Sequence, residues 1–117
     1  MDRSKAVLKP RLRIQRGTVV AFGPGKAELI RLIGSTGSIR AAAAKMKMSY
    51  NRAWMLVRDM NRLFRKPLLV SRRGGQTGGG AALTPTGREV LSRYIYMEQS
   101  CLTATKADWQ ALRRLLR

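Results

Sequence analysis

The chain has 117 residues, which suits one domain with a modest core. It carries 24 Lys and Arg against 6 Asp and Glu, a formal net charge of +18, so nucleic acid is the leading partner. A hydrophobic content of 44% excludes a wholly disordered basic tail. An anionic membrane is a weaker alternative, because no segment dense in Lys and Arg shows a clear amphipathic pattern with bulky apolar residues.

Reactive side chains are too rare for several classes of site. A single cysteine, Cys101, and the absence of histidine exclude an internal disulfide and a multi-cysteine zinc site. The six acidic residues are scattered, so we expect no enzyme, metal or cofactor. The N-terminus lacks a signal-peptide core, and no stretch approaches the roughly 20 apolar residues of a membrane span. We therefore expect a cytoplasmic protein with no membrane partner.

The first third of the chain predicts an arm, one or two short strands and a helix. Residues 1–10 are basic and end at Pro10, which indicates a flexible arm that either contacts DNA or does nothing specific. Residues 11–22 are rich in β-branched and apolar residues, with Gly17 as a bend. Helix 1 is expected over residues 25–34, closed by Gly34 and Gly37. Its apolar residues recur at helical spacing: Leu29, Ile30, Leu32 and Ile33.

A short helix and a tight turn follow. Ser38 is an N-cap candidate for helix 2, residues 39–46. The four alanines from Ala41 to Ala44 favour either close packing against a following helix or helix propensity alone. Residues 45–48 form the predicted turn, with Met46 and Met48 contacting the core.

Helix 3 is predicted over residues 50–65, with Ser49 as its N-cap. At about 100° per residue, one face is apolar and is expected in the core: Tyr50, Ala53, Leu56, Val57, Met60 and Phe64. The other face is polar and mostly basic: Asn51, Met55, Arg58, Asp59 and Arg62. Such a face is usually only solvated, but after a tight turn in so basic a chain it favours a DNA-reading helix.

The expected DNA contacts depend on where each residue lies along helix 3. First-turn residues of a recognition helix meet base edges, where Asn51 can pair with adenine and Arg52 with guanine. Arg58, Arg62 and Arg65 lie further along and are better placed for phosphates. Tyr50 and Trp54 could meet thymine methyls or sugars, or be core or boundary aromatics.

A β-hairpin is predicted after helix 3. Pro67 ends the helix, LLVSRR and AALT read as strands, and GGQTGGG separates them. The glycine run lacks the Gly-Lys-Ser/Thr ending of a phosphate loop. A hairpin in this position is a wing, whose tip residues could touch the DNA backbone or minor groove, although a floppy exposed turn is the alternative. The candidate wing contacts are Arg72, Arg73, Gln76 and Thr77.

The C-terminal segment predicts a long helix. Thr84 or Thr86 caps it, and it extends to Leu116 with an interruption near Thr103. An imperfect heptad-like seam indicates a dimer interface, or packing back on the same domain, or both in different stretches. Glu98 and Thr105 are the polar members of this seam, and its apolar members are Leu91, Ile95, Leu102, Trp109, Leu112 and Leu116.

The motifs GPGKAELI, TGSIRAAA, MSYNRAW, GGQTGGGAALTPTG and RYIYMEQ resemble the N-terminal DNA-binding domain of the molybdate-responsive ModE regulator family. SIRAAAAKMKMS and LTPTGREVL also resemble LysR-type regulators. The ModE resemblance covers about residues 11–102. It implies a winged helix-turn-helix dimer on a palindromic operator. Residues matching its DNA-contacting segments are Ser38, Ser49, Tyr50, Asn51, Arg52 and the wing around Arg73; Arg40, near Ser38, is a further candidate.

The predicted fold is mainly α with a small β component. We expect an arm (1–10), a winged helix-turn-helix domain (11–83) and a C-terminal dimerisation region (84–117). Full-length ModE proteins also carry a molybdate-binding region, for which this chain has no room. We therefore expect a stand-alone regulator, signalled by a separate sensor protein or sensing nothing itself, or a fragment of a longer protein. The alternative function is non-specific nucleoid or RNA binding, which the +18 charge supports equally.

Overall fold

The structure is a computed structural model in which residues 5–72 and 80–117 are described. Within them the elements run in the order β1 (Ile14–Arg16), β2 (Val19–Phe22), α1 (Pro24–Thr36), α2 (Ile39–Lys45), α3 (Tyr50–Leu63), β3 (Leu69–Arg72), β4 (Gly80–Leu83), α4 (Pro85–Ala104) and α5 (Lys106–Leu115). Three helices followed by a hairpin are the arrangement of a winged helix. The predicted fold class, mainly α with a small β component, is confirmed.

The N-terminal strands form an antiparallel hairpin. Gly17 has a φ of 61° and supplies the predicted bend between β1 and β2, since that region of backbone space favours glycine. The hairpin register shifts at Ile14 and Gln15, which marks a bulge. Most of the hairpin is exposed, but Phe22 at its end is fully buried and joins it to the core.

Helix α1 provides the centre of the core, and its predicted apolar residues are all buried. It ends at Gly37, which takes a left-handed φ of 72° and donates its N–H to the Ile33 carbonyl. The prediction that Gly34 also closes the helix is wrong, because Gly34 lies inside it. A Cβ there would stand 3.1 Å from the Leu83 side chain, so Gly34 serves the close approach of β4.

Helix α2 packs closely against its neighbours. Ala42 and Ala43 are buried, and contacts join α2 to both α1 and α3. This favours close packing as the explanation of the alanine run, because small side chains let helices approach. Met46 and Met48 pack against the core as predicted, while Lys47 between them has a positive φ of 57° in the turn.

The hairpin after α3 pairs β3 with β4 in antiparallel register from Leu69↔Leu83 to Arg72↔Gly80. Strand β4 also lies against the corner between α1 and α2. The Ala81 N–H donates to the Gly37 carbonyl at 2.9 Å, and a Cβ on Gly80 would be 2.8 Å from that oxygen. Strand β4 is therefore joined to the helix-turn-helix by backbone contact at Gly80 and Ala81, at the end of the ladder away from the Leu69↔Leu83 pair.

Helix α4 starts directly under the hairpin. Thr84 is its N-cap, as one of the two predicted alternatives: its hydroxyl accepts from the Gly87 N–H at 2.9 Å and donates to the Pro67 carbonyl at 2.7 Å. Further along, the buried Tyr94 donates its hydroxyl to the Leu12 carbonyl at 2.7 Å. Its ring meets Phe22 edge-on at 5.1 Å. These contacts attach α4 to both the hairpin base and the N-terminal segment.

The long C-terminal helix is divided in two. The break lies at Thr105, two residues beyond the predicted interruption, and α5 ends at Leu115. In α5 no residue is buried. No helix in the described ranges combines the length and apolar character needed to cross a membrane.

Candidate nucleic-acid interface

Both predicted serine caps are confirmed. The Ser38 hydroxyl accepts from the Ala41 N–H at 3.0 Å and the Ser49 hydroxyl accepts from the Arg52 N–H at 3.1 Å. These bonds satisfy amides that a helix start leaves free, and they fix where α2 and α3 begin. A DNA contact from either serine would share a hydroxyl that already accepts a bond.

Helix α3 is amphipathic as the sequence predicts. Ala53, Val57 and Met60 are buried. The opposite face carries exposed side chains: Asn51, Arg52, Met55, Arg58 and Arg62. Asp59 is half-buried and pairs with Arg58 at 3.5 Å, a surface ion pair. The helix ends at Leu63, so Arg65 lies beyond it and is exposed.

The two aromatics of α3 are not core residues. Tyr50 is 42% exposed and Trp54 is 45% exposed, so the prediction of Tyr50 in the core and the core interpretation of Trp54 are wrong. Tyr50 is the first residue of α3, where the Arg40 guanidinium lies 4.5 Å from its ring centre. Arg58 lies 5.6 Å from the ring centre of Trp54. Both rings pack against arginines at the surface, since a cation over an aromatic face is attractive.

One flank of α3 forms a groove with the hairpin β3–β4, here called the wing-side groove. Its volume is about 280 Å³, and its floor is Val57 with Leu69 and Ala81. From α3 it is lined by Trp54, Val57, Arg58, Asn61 and Arg62. The groove brings the exposed aromatic and two arginines of α3 beside the hairpin.

Asn61 joins the hairpin to α3. Its side-chain oxygen accepts from the Leu68 N–H at 2.8 Å and the Leu69 N–H at 3.1 Å, and its amide donates to the Leu69 carbonyl at 3.1 Å. This role of Asn61 was not predicted from the sequence. Its signal was an amide at the border of the apolar face of α3, a few residues before the strand.

The predicted wing contacts are only partly described. Arg72 is exposed at the end of β3. Arg73, Gln76 and Thr77 fall outside the described residues. The two strands that carry the wing are therefore in place beside α3, while the contacts of its tip stay predictions.

The other flank of α3 faces the N-terminal hairpin. There Arg11, Arg13, Lys26 and Arg52 line a second groove of about 270 Å³ together with apolar residues, here called the hairpin-side groove. Lys26 Nζ donates to the Val20 carbonyl at 2.6 Å. Burial lowers the pKa of Lys26, and nearby Asp59 opposes that shift. Arg11, Arg13 and Lys26 were not predicted as site residues from the sequence.

The predicted dimerisation residues divide along the C-terminal helices. Leu91 packs partly against the core of its own domain. Leu102 and Trp109 are half-buried, while Ile95, Leu112 and Leu116 are 42%, 59% and 57% exposed. Leu116 lies just past the end of α5. The seam thus packs inward at its start and faces outward at its end.

In the described residues no group of three or more Cys, Asp or Glu side chains could hold a metal ion. Helix α3 instead exposes the positively charged side chains of Arg52, Arg58 and Arg62. The arrangement is a helix start with exposed amide and guanidinium groups, flanked on each side by a groove that carries positive charge.

Comparison with known proteins identifies this arrangement. Residues 26–88, more than half of the chain, match the model of the bacterial regulatory helix-turn-helix proteins of the lysR family. The chain belongs to this family. The matched region runs from α1 through the wing to the start of α4. It therefore includes the α3 residues that line the two grooves.

Individual relatives agree with the resemblance drawn from the motifs. The molybdenum-pterin-binding protein MopB of Rhodobacter capsulatus is 40% identical over 91 residues, 74% of this chain and 34% of the relative. The molybdenum transport protein ModE of Azotobacter vinelandii is 33% identical over 117 residues, 91% of this chain and 43% of the relative. The transcriptional regulator ModE of Haemophilus influenzae is 35% identical over 89 residues, 76% and 35% respectively.

These matches confirm the resemblance to the N-terminal winged helix-turn-helix region of ModE proteins. The chain spans between 34% and 43% of the length of these three relatives. Its family is one of bacterial regulatory helix-turn-helix proteins.

Proposed function

We propose that this chain is a site-specific transcription regulator that reads double-stranded DNA with the first turn of α3. The observation that carries the proposal is the exposure of Asn51 and Arg52 at a helix start fixed by the Ser49 cap. Recognition helices of helix-turn-helix proteins present their N-terminal residues to base edges in the major groove. An amide and a guanidinium are the side chains that read adenine and guanine bidentately.

The flanking arginines fit a different role. Arg58 and Arg62 are exposed along α3, and Arg72 is exposed on the wing. Phosphate contacts from such side chains position the protein without reading sequence. Tyr50, Arg40 and Trp54 lie at the same surface, where a ring backed by a guanidinium can pack on a sugar or a thymine methyl. Arg73, Gln76 and Thr77 would extend these contacts from the wing tip.

The regulator acts as a homodimer in this proposal. A two-fold dimer places two recognition helices on two half-sites of a palindrome, about 34 to 36 Å apart or a multiple of that distance. The exposed leucines of α5 supply an apolar surface for the second copy. Since the partner is the chromosome, we place the protein in the cytoplasm.

The relatives suggest which genes are controlled. One is named for molybdenum transport and another for molybdenum-pterin binding. We therefore propose that the operators lie at genes of molybdenum or other metal metabolism. Genome-wide mapping of the bound sites in the native cell would return the operator and the neighbouring genes together.

A non-specific nucleoid or RNA-binding protein is the second candidate, and the net charge of +18 favours it equally. Both candidates lose affinity as salt rises. Only a site-specific regulator keeps a large preference for one operator over random DNA at fixed salt.

Two substitutions on α3 test the proposal. Asn51→Ala should mainly reduce discrimination between operators, because it removes a base contact. Arg62→Ala should weaken binding to all DNA about equally and lower the slope of log K against log salt by about one, because it removes a phosphate contact. Fluorescence anisotropy with a selected operator and a random duplex measures both quantities.

Arg114→Ala on α5 is the matched control, since it removes the same charge from an exposed position away from α3. It should leave discrimination unchanged and move the salt slope less than Arg62→Ala does. Equal losses on operator and random DNA from Asn51→Ala would refute the recognition role of α3.

A further inference from the structure

The hairpin-side groove carries a concentration of positive charge, of which the proposed function uses only Arg52. Arg11 and Arg13 come from the segment before β1, Lys26 comes from the first turn of α1, and Arg52 comes from the first turn of α3. The remaining lining is apolar or glycine, and no carboxylate lines the groove among the described residues. Elements far apart in sequence thus deliver like charges to one place.

The groove lies on the flank of α3 opposite the wing. At about 100° per residue, Arg52 and Leu56 fall on one side of the exposed face of α3, and Trp54 and Asn61 on the other. The grooves agree with this geometry, because the first pair lines the hairpin-side groove and the second pair lines the wing-side groove. The exposed face with Asn51 and Met55 lies between them.

The charge in this groove is available to a ligand. Arg11, Arg13 and Arg52 are exposed. Like charges placed together repel unless an anion joins them, so such a cluster favours a polyanion. Asp59 lines the adjacent hollow with Lys26 and Arg62. Glu98 lies near the Tyr94 hydroxyl, as Arg11 does, but does not line the groove. A phosphate is therefore favoured at the part of the groove lined by Arg11 and Arg13.

We propose that the hairpin-side groove binds the DNA phosphate backbone on the side of the major groove away from the wing. The inference rests on the proposed function, in which α3 occupies that groove. A major groove about 12 Å wide holds a helix about 10 to 12 Å across, so the two sugar-phosphate backbones pass along its flanks. The wing contacts one backbone, and Arg11 with Arg13 contacts the other.

In this arrangement the N-terminal segment holds the DNA on the side of α3 opposite the wing. The segment is held in place by the hydrogen bond from Tyr94 to the Leu12 carbonyl, between the two arginines. That bond uses the backbone carbonyl of Leu12, so substitutions of the flanking Arg11 and Arg13 side chains do not remove it. Arg11 and Arg13 are thereby presented from a fixed segment.

The test is the double variant Arg11→Gln/Arg13→Gln of the full chain. Its binding to a duplex selected from a random pool and to a random-sequence duplex is measured by anisotropy over a range of salt. The loss of two phosphate contacts should lower the slope of log K against log salt by about two. Binding to both duplexes should weaken equally, so the preference for the selected duplex stays the same. Arg11→Lys/Arg13→Lys should restore the slope, because it restores the charge.

Arg113→Gln/Arg114→Gln on α5 is the control for net charge, since it removes two exposed charges elsewhere. A slope for the Arg11 and Arg13 variant equal to that of this control, or to the unchanged protein, would overturn the inference. Ethylation interference gives a second measurement: the variant should lose sensitivity at phosphates on the backbone away from the wing and keep it elsewhere. Loss of the same phosphates from the control would also overturn it.

The two proposals fail in different ways. If the unchanged protein shows no preference for the selected duplex, the site-specific function is refuted, while the salt slopes on random DNA still decide the role of the groove. If the preference is present and the double variant leaves the slope unmoved, only the groove proposal is refuted. Failure of the unchanged protein to bind either duplex would refute both.

Discussion

Helices α1 and α5 have similar lengths and opposite surroundings. Over 13 residues α1 buries five side chains in the core, whereas α5 has 10 residues and buries none. Most helical stability in proteins comes from packing an apolar face, and an isolated helix of fewer than about 12 to 15 residues is marginal in water. The winged-helix part of the chain thus supplies its own core, whereas α5 adds no buried side chain to it.

The same substitution in the two helices gives the sharpest contrast. Leu29 is fully buried, so Leu29→Ala should lower the free energy of unfolding by about 2 to 5 kcal/mol. Leu112 is 59% exposed, so Leu112→Ala should change it by no more than about 0.5 kcal/mol in a dilute monomer. Urea denaturation followed by circular dichroism measures both.

The exposed leucines of α5 are expected to matter at higher protein concentration. Because α5 carries the proposed dimer surface, Leu112→Ala should weaken self-association in sedimentation equilibrium. Gln110→Ala, an exposed change on the same helix, is the control and should leave association nearly unchanged. A chain that is monomeric at micromolar concentration and on its operator would contradict the dimer.

A smaller effect is expected where the wing joins α3. Asn61→Ala removes the acceptor of the Leu68 and Leu69 amides and should cost about 1 to 3 kcal/mol of unfolding free energy, because those amides lose their partner. Asn61→Asp keeps an acceptor at that position and should cost less. The ordering of the two variants in urea denaturation checks the contact, and equal costs would show that the acceptor is unimportant.

The smallest expected effect concerns the start of α3. Ser49→Ala removes the cap on the Arg52 N–H and should lower the free energy of unfolding by about 1 kcal/mol. Ser49→Thr keeps the hydroxyl and should stay near the unchanged protein. Thermal melting without DNA separates this effect from any contact with a ligand. A Thr variant as unstable as the Ala variant would exclude the cap as the cause.

The features that the sequence predicted well are local. Ser38 and Ser49 stand directly before runs of helical periodicity, so their cap bonds depend on residues three positions away. The buried face of α3 follows from the spacing of Ala53, Val57 and Met60 in the same way. The motifs of the helix-turn-helix and wing also sufficed to place the chain among the ModE relatives.

The features that it missed depend on contacts between distant segments. Tyr94 binds Leu12 across 82 positions of sequence, and Asn61 binds a strand on the far side of a turn. Tyr50 is an aromatic residue of a type common in protein cores. Its position at the helix start places it at the surface, against Arg40. A glycine after an apolar helical run indicates a helix end, so the sequence predicts one at Gly34. Its actual role depends on Leu83, which comes from another element. No local pattern encodes these partners.

Gly87 bears on how this protein can diverge. A Cβ at this position would stand 2.1 Å from the Leu68 carbonyl oxygen, so any other residue forces the start of α4 away from the hairpin base. Relatives that replace this glycine must hold the C-terminal helices at another angle. In the proposed dimer, a different angle between the winged helix and the C-terminal helices means a different separation of the two recognition helices. The residue at this position is therefore expected to sort relatives by the spacing between the halves of their operators.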